Sequence, residues 1–106
     1  MGNNRRNWHR HWAIDISSQT AIHDSGLSVQ FVDRIVFPQP EIGTHCMVDG
    51  VGEWTGFLIG GDDALILWMR QNPAIRDPAS ISNRLGRLME EAGRAWARAK
   101  KAEHES

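Results

Sequence analysis

The C-terminal third of this 106-residue chain carries an apolar pattern that one long amphipathic helix accounts for. Between residues 78 and 101 the apolar positions recur at spacings of three and four: Ile81, Leu85, Leu88, Met89, Ala92, Trp96 and Ala99. This spacing places them in one stripe along a helix. Asp77 is positioned to cap the helix and Pro78 suits its first turn, so the sequence predicts a helix over 78–101. Because the stripe has to be buried, the rest of the chain must supply an apolar surface for it.

Residues 8–59 have the pattern of short strands separated by turn residues. Alternating or β-branched apolar residues mark five segments: 8–16, 20–23, 27–37, 44–48 and 54–59. Pro38-Gln39-Pro40 ends the third segment because proline has no N–H to donate to a sheet. The predicted fold class is therefore α+β, with a small antiparallel sheet of about four strands followed by one or two C-terminal helices packed on one face.

The same patterns predict the core. We expect the helix stripe to pack against the odd-numbered residues of 27–37 and against Trp12, Ile14, Ile16 and Ile22. Among the tryptophans, those in apolar patterns are predicted core residues: Trp54, Trp68 and Trp96. The chain is expected to form a single domain, 1–106, in which 1–7 are a flexible basic arm and 102–106 a frayed tail.

Residues 64–71 leave two structures open. They fit a helix that Asp62 or Asp63 caps and that Asn72-Pro73 ends. They also fit a buried strand after a turn at Gly60-Gly61, because so short an apolar run has no decisive periodicity.

Charge is distributed unevenly along the chain. Residues 1–14 carry a formal charge of +3, residues 15–63 carry −7 and residues 64–106 carry +3, for a total of −1. The longest apolar run is far too short to cross a membrane, so no membrane partner is expected. The N-terminus has no apolar signal segment, and Cys46 is the only cysteine. Both features favour a soluble protein of the reducing cytoplasm.

Two basic segments predict a surface for a charged partner. The N-terminal arm combines arginine with tryptophan, and the helix carries an arginine-rich flank beside its apolar stripe. The candidate partner-binding residues are Arg5, Arg6, Trp8, Arg10, Trp12, Arg84, Arg87, Arg94 and Arg98. Tryptophan and arginine are enriched at the centres of protein interfaces, which favours another protein as the partner. Nucleic acid is the alternative, since the same groups neutralise phosphates and stack on bases. A homodimer through the C-terminal helix is a further option.

A third hypothesis is a metal-binding protein or a metal-dependent enzyme, with its metal site on the first hairpin. If Ile16 pairs with Thr20, then Ala13 lies opposite His23, and the face away from the core carries His9, His11, His23 and Asp15. Two imidazoles and a carboxylate at that spacing are able to share a metal ion. A solvated polar face explains the same residues without a metal, and the sequence favours it because no thiolate or zinc-site spacing accompanies them.

The residues that carry covalent chemistry form no catalytic pattern. Cys46 lies in an apolar segment and is expected to be a small buried side chain, and the glycine spacings match neither phosphate-binding nor dinucleotide-binding loops. We therefore expect a small non-enzymatic binding or regulatory protein without a cofactor. Within the long helix, Glu90 and Arg94 are expected to pair, while Gly86 and Gly93 indicate either close packing of another backbone or mere tolerance.

Overall fold

A computed structural model of the chain describes residues 10–38, 42–72 and 78–105. These residues form five strands and two helices: β1 (Trp12–Asp15), β2 (Thr20–His23), β3 (Ser28–Val32), β4 (Gly43–Val48), β5 (Gly52–Leu58), α1 (Gly61–Gln71) and α2 (Pro78–Glu105). The α+β class is confirmed, with five strands in place of about four. The arm, residues 1–7, lies outside the described residues.

The strands form one antiparallel sheet in the order β1-β2-β3-β5-β4. Because side chains alternate along a strand, the sheet has two faces of different character. We call the side that packs against the helices the inner face; its buried residues are Trp12, Ala21, His23, Val29, Phe31, Val48, Trp54 and Leu58. We call the other side the open face; it carries Ala13, Asp15, Thr20, Ile22, Ser28, Gln30, Val32, His45, Met47, Glu53, Thr55 and Phe57.

An aromatic cluster joins α2 to the inner face. The Phe31 and Trp96 rings stack with centroids 4.7 Å apart and an interplanar angle of 4°. Trp54 meets Trp96 edge-on at 5.2 Å. Gly56 lies opposite Phe31 in the sheet, and a Cβ there would lie 2.6 Å from the Phe31 ring. The stack therefore depends on glycine at position 56, because any side chain would displace the Phe31 ring.

The predicted stripe of α2 is confirmed. Leu88, Met89, Ala92 and Trp96 are buried against the sheet, and Trp54 and Trp68 are core residues as expected. The helix continues to Glu105, so residues 102–105 are helical instead of frayed. Good helix formers and the absence of glycine or proline after residue 93 account for the extra turn.

The segment from Gly61 to Gln71 is a helix, which settles the choice between helix and strand. Its N-cap is Gly60, with φ of 90°, and no side chain caps the first turn. The expected cap at Asp62 or Asp63 is therefore wrong; these two acids lie inside the first turn, where they face the positive end of the helix dipole. At the other end the Asn72 side chain donates a hydrogen bond to the Trp68 carbonyl at 2.7 Å.

The register of the first hairpin differs from the prediction by one residue. Trp12 pairs with His23 and Asp15 with Thr20, whereas the sequence suggested that Ala13 lies opposite His23. The turn contains four residues, 16–19, and the last of them, Gln19, has a left-handed conformation with φ of 58°. A one-residue shift exchanges the two faces of a strand. His23 is consequently on the inner face, and Ile22, expected in the core, is 53% exposed on the open face.

The third strand ends at Val32, five residues earlier than the β-branched pattern indicated. The chain then turns across the open face above β5. Thr55, on the open face of β5, fixes this crossing segment: its hydroxyl donates to the Arg34 carbonyl at 2.7 Å and accepts from the Val36 N–H at 3.3 Å. These two bonds give residues 34–36 partners outside the sheet ladder. The crossing segment covers Thr55, which is completely buried.

The two glycines of α2 provide a matched test of this packing. A Cβ at Gly93 would lie 3.1 Å from Thr44 Oγ1, whereas a Cβ at Gly86 meets nothing within 4 Å. Glycine costs about 1 kcal/mol relative to alanine inside a helix. We expect Gly86→Ala to raise the free energy of unfolding by up to about 1 kcal/mol, and Gly93→Ala to gain clearly less or to lose stability. Urea unfolding of both variants measures the difference; equal gains would contradict the close approach of α2 to β4.

Candidate partner-binding surfaces

The structure separates the residues predicted to bind a partner. Arg5, Arg6 and Trp8 lie outside the described residues. Trp12 is only 9% exposed and contacts the His23 ring edge-on at 5.0 Å in the core. Its suggested role as an exposed contact is therefore corrected to a core role. The arginines are all at the surface: Arg10, Arg84, Arg87, Arg94 and Arg98.

Two of these arginines, 84 residues apart in sequence, meet at one buried carboxylate. Glu91 is 4% exposed. Arg94 donates to it from Nη1 at 2.7 Å, and the Nε of Arg10 lies 4.0 Å from its other oxygen. Both arginine side chains remain more than half exposed. Arg94 therefore pairs with Glu91 and not, as expected from the sequence, with Glu90.

The structure brings Arg10, which lies just before β1, to the arginine-rich flank of α2 through this carboxylate. Positions 84, 87, 91, 94 and 98 recur at spacings of three and four, so they share one side of the helix. The sequence contains a signal for the contact, because Glu91 directly precedes Ala92 at the edge of the apolar stripe. An acid at the edge of a buried stripe loses its contact with water and therefore requires a basic partner.

The open face carries exposed apolar side chains that the sequence reasoning did not single out as a surface. Met47 is 59% exposed, and Phe37 of the crossing segment is 80% exposed. Ile22 and Ile59 lie on either side of Ser28, because Ile22 is its partner in β2 and the Ile59 N–H donates to its carbonyl at 2.9 Å. Antiparallel sheets that face water usually alternate polar residues on the outer side. In the sequence, the available signal for this surface was the presence of strands with apolar residues at both odd and even positions, and therefore on both faces of the sheet.

Charge is divided between the same two sides of the molecule. The exposed charges of the sheet and its crossing segment are mainly acidic, with Asp15, Asp33 and Glu53 against Arg34. Residues 84–101 of α2 carry six basic and two acidic side chains, and one of these acids is the buried Glu91. The uneven charge of the sequence thus becomes an acidic open face and a basic helix face.

The proposed metal ligands do not converge. His11 is bonded to Asp24 at 3.1 Å, and His23 is buried on the inner face. Asp15 lies on the open face, where the Ser17 hydroxyl donates to it at 2.8 Å. This bond and those from Ser18 lower the pKa of the Asp15 carboxyl below its usual value. Within the described residues, which exclude His9, no group of three or more potential ligands is close enough to bind a metal.

His23 takes part in a polar cluster that fixes α1. The Trp68 indole donates to Ser25 Oγ at 2.8 Å. Ser25 Oγ lies 2.7 Å from His23 Nδ1, which also accepts the Ser25 backbone N–H at 3.0 Å. Because Nδ1 accepts the backbone N–H, it carries no proton, so the Ser25 hydroxyl donates to it while the serine oxygen accepts from Trp68. The three side chains therefore connect α1 to the turn between β2 and β3.

Cys46 lies on the inner face of β4 beneath α2, where a Cβ at Gly93 would lie 3.6 Å from its own Cβ. Burial raises the pKa of the Cys46 thiol from 9.0 to about 11. The thiolate is the nucleophilic form of cysteine, so this environment keeps the side chain unreactive near neutral pH.

No protein family, no curated protein and no solved structure matches the chain. No helix of the described ranges is both long and apolar enough to cross a membrane. The features that bear on function are therefore two surfaces of the molecule, the open face of the sheet and the arginine-rich flank of α2.

The Trp68–Ser25 hydrogen bond is testable by a double-mutant cycle. Ser25→Ala leaves a buried indole N–H without its acceptor, so we expect a loss of about 1–3 kcal/mol in the free energy of unfolding. Trp68→Phe removes the donor, and in that background Ser25→Ala should cost clearly less. The exposed Ser82→Ala is the control and should leave stability within about 0.5 kcal/mol of the parent. Additive effects of the first two substitutions would contradict the bond.

The raised pKa of Cys46 gives a pH-dependent prediction. In the native protein, alkylation by iodoacetamide should be slow at pH 8 and should accelerate as the pH rises toward about 11. In denaturant the thiol regains its ordinary pKa, and the reaction at pH 8 should be much faster. Because the folded pKa lies above the unfolded one, the associated stability is present below pH 9 and is lost as the pH rises toward 11. Equal native and denatured rates at pH 8 would contradict the burial.

Proposed function

We propose that the protein is a non-enzymatic protein-binding module that docks a partner protein on the open face of its sheet. The observation that carries the proposal is the exposure of Ile22, Met47, Ile59 and Phe37 on that side. Ile22 and Ile59 flank Ser28 on this face, and exposed apolar residues that lie together are characteristic of interaction sites, whereas isolated ones are common everywhere. On α2, no large apolar side chain is exposed between Ile81 and Glu105.

The charges around the open face favour a basic partner. The exposed charges of the strands and crossing segment are the acids Asp15, Asp33 and Glu53 and a single base, Arg34. A second copy of the chain would bring the same acids against one another, which costs free energy and slows association. A partner with apolar side chains inside a basic rim meets neither penalty. The homodimer through the C-terminal helix stays a prediction.

The size of the open face indicates a transient complex. Five strands spaced about 4.8 Å apart span roughly 19 Å, and strands of five residues are about 17 Å long. The resulting area of roughly 320 Å² is less than half of the ~800 Å² that each partner buries in a standard stable interface. We therefore expect the crossing segment with Phe37 to enlarge the contact, and we expect fast dissociation.

The experiment compares three double variants and the single variant Glu53→Gln with the parent protein as affinity baits in a lysate of the native host. Ile22→Thr/Met47→Gln makes the open face polar while keeping β-branching and side-chain length. Ile66→Gln/Leu67→Gln is the matched control, because both residues are exposed apolar side chains of α1. Arg87→Gln/Arg98→Gln tests the helix face. A captured protein counts only after it has been purified and its affinity measured by calorimetry.

We expect the open-face variant to bind the purified partner at least about tenfold more weakly, a loss of about 1.4 kcal/mol, while both other double variants keep parental affinity. Glu53→Gln should weaken binding at low salt and have little effect at high salt, because salt screens charges at a rim. Unchanged binding of the open-face variant, or loss with the helix-face variant alone, would contradict the proposal. Stronger self-association of Glu53→Gln in sedimentation experiments would indicate a second copy as the partner.

A further inference from the structure

We propose that the arginine side of α2, together with Arg10, is a second binding surface that takes the phosphate backbone of a nucleic acid. This surface is separate from the open face, so the inference goes beyond the proposed protein binding. Its elements are Arg10, Arg87, Arg94 and Arg98, all exposed, with Arg84 extending the row along the helix.

The geometry suits a linear array of phosphates. From Arg84 to Arg98 the helix rises about 21 Å, at 1.5 Å per residue. One strand of a duplex carries a phosphate about every 3.4 Å along its axis, so the row passes several successive charges. Guanidinium groups bind phosphate oxygens through two parallel N–H bonds, which ammonium groups cannot do.

Glu91 orders two of these guanidinium groups in advance. Its carboxylate is buried and accepts from Arg94, with Arg10 at 4.0 Å, so one side of each arginine is directed inward. Both arginine side chains stay more than half exposed, 59% for Arg10 and 63% for Arg94. Ordering of long side chains before binding reduces the entropy lost in the complex. One buried negative charge beneath two positive ones leaves the surface basic.

The observations favour nucleic acid over an acidic protein at this surface. Tight protein interfaces rely on apolar or aromatic anchors at their centre, and the described outer side of α2 exposes no large apolar residue. Binding to phosphates needs no such anchor, because it is driven by charge and by the release of counterions. The exposed Glu90 lies on the same helix side and reduces the positive charge there by one. Even so, residues 84–101 retain a net charge of +4.

The test measures fluorescence anisotropy of a labelled mixed-sequence DNA duplex of about 20 bp, or two helical turns, across a series of salt concentrations. Arg87→Gln/Arg98→Gln removes two charges without touching the Glu91 contacts. Arg34→Gln/Arg70→Gln removes the same number of charges from the crossing segment and α1. Polyglutamate, as a competitor and as a labelled probe, represents an acidic polypeptide, and thermal melts establish that each variant is folded.

We expect micromolar binding of the parent at low salt, with log K falling by about 0.9 per neutralised phosphate against log salt. The helix variant should reduce that slope by about 1.8, and the control pair should leave it unchanged. The proposal is overturned if the parent shows no binding to the duplex at about 100 µM protein in low salt, or if the control pair lowers the slope equally. Polyglutamate binding that equals duplex binding and depends on Arg87 and Arg98 would overturn it in favour of an acidic protein partner.

Discussion

The stack of Phe31 on Trp96 is the contact on which the arrangement of the molecule depends. It joins the middle strand of the sheet to the long helix, and it exists because Gly56 leaves room for the Phe31 ring on the neighbouring strand. Trp54 then closes the other side of Trp96. A parallel stack restricts both the distance and the rotation of the helix about its own axis. Once Trp96 is fixed, Glu91 and the arginine row must lie on the flank of α2.

This helix covers one face of the sheet only, and that asymmetry creates both candidate surfaces. With α1 and α2 on the inner face, the open face is left to the crossing segment, which covers Thr55 and leaves apolar residues exposed around it. The exposed charges of the sheet and its crossing segment are mainly acidic, and most of the described basic side chains belong to α2. The separation of charge along the sequence is therefore converted into a separation across the thickness of the molecule.

Much of the fold followed from periodicity, because a long amphipathic helix has to bury its stripe. The α2 stripe, the tryptophan core and the α+β class were predictable for that reason. The hairpin register was not, because it depends on the length of the turn, and Ser17-Ser18-Gln19 does not specify a turn that also includes Ile16. A turn one residue longer places His23 in the core and Ile22 outside it, which removes the predicted histidine face.

The candidate surfaces were only partly visible in the sequence, for a related reason. The arginine row is a local helical property and could be read directly. Its connection to Arg10 could not, because it required knowing that β1 lies beside the flank of α2 that carries Glu91. The open face was also hidden, since it depends on where β3 ends and on the two hydrogen bonds of Thr55 that bring residues 34–36 across the sheet.

The two surfaces share no residue, and the aromatic core separates them. A partner on the open face meets acidic side chains, whereas a polyanion is repelled there and attracted to the opposite side. On the two proposals, the charge distribution would orient a nucleic acid toward α2 and a basic protein toward the sheet, so that neither ligand would compete for the other's site. If both proposals hold, the molecule is able to connect a protein to a nucleic acid, with the rigid contact between Phe31 and Trp96 setting the relative orientation of the two ligands.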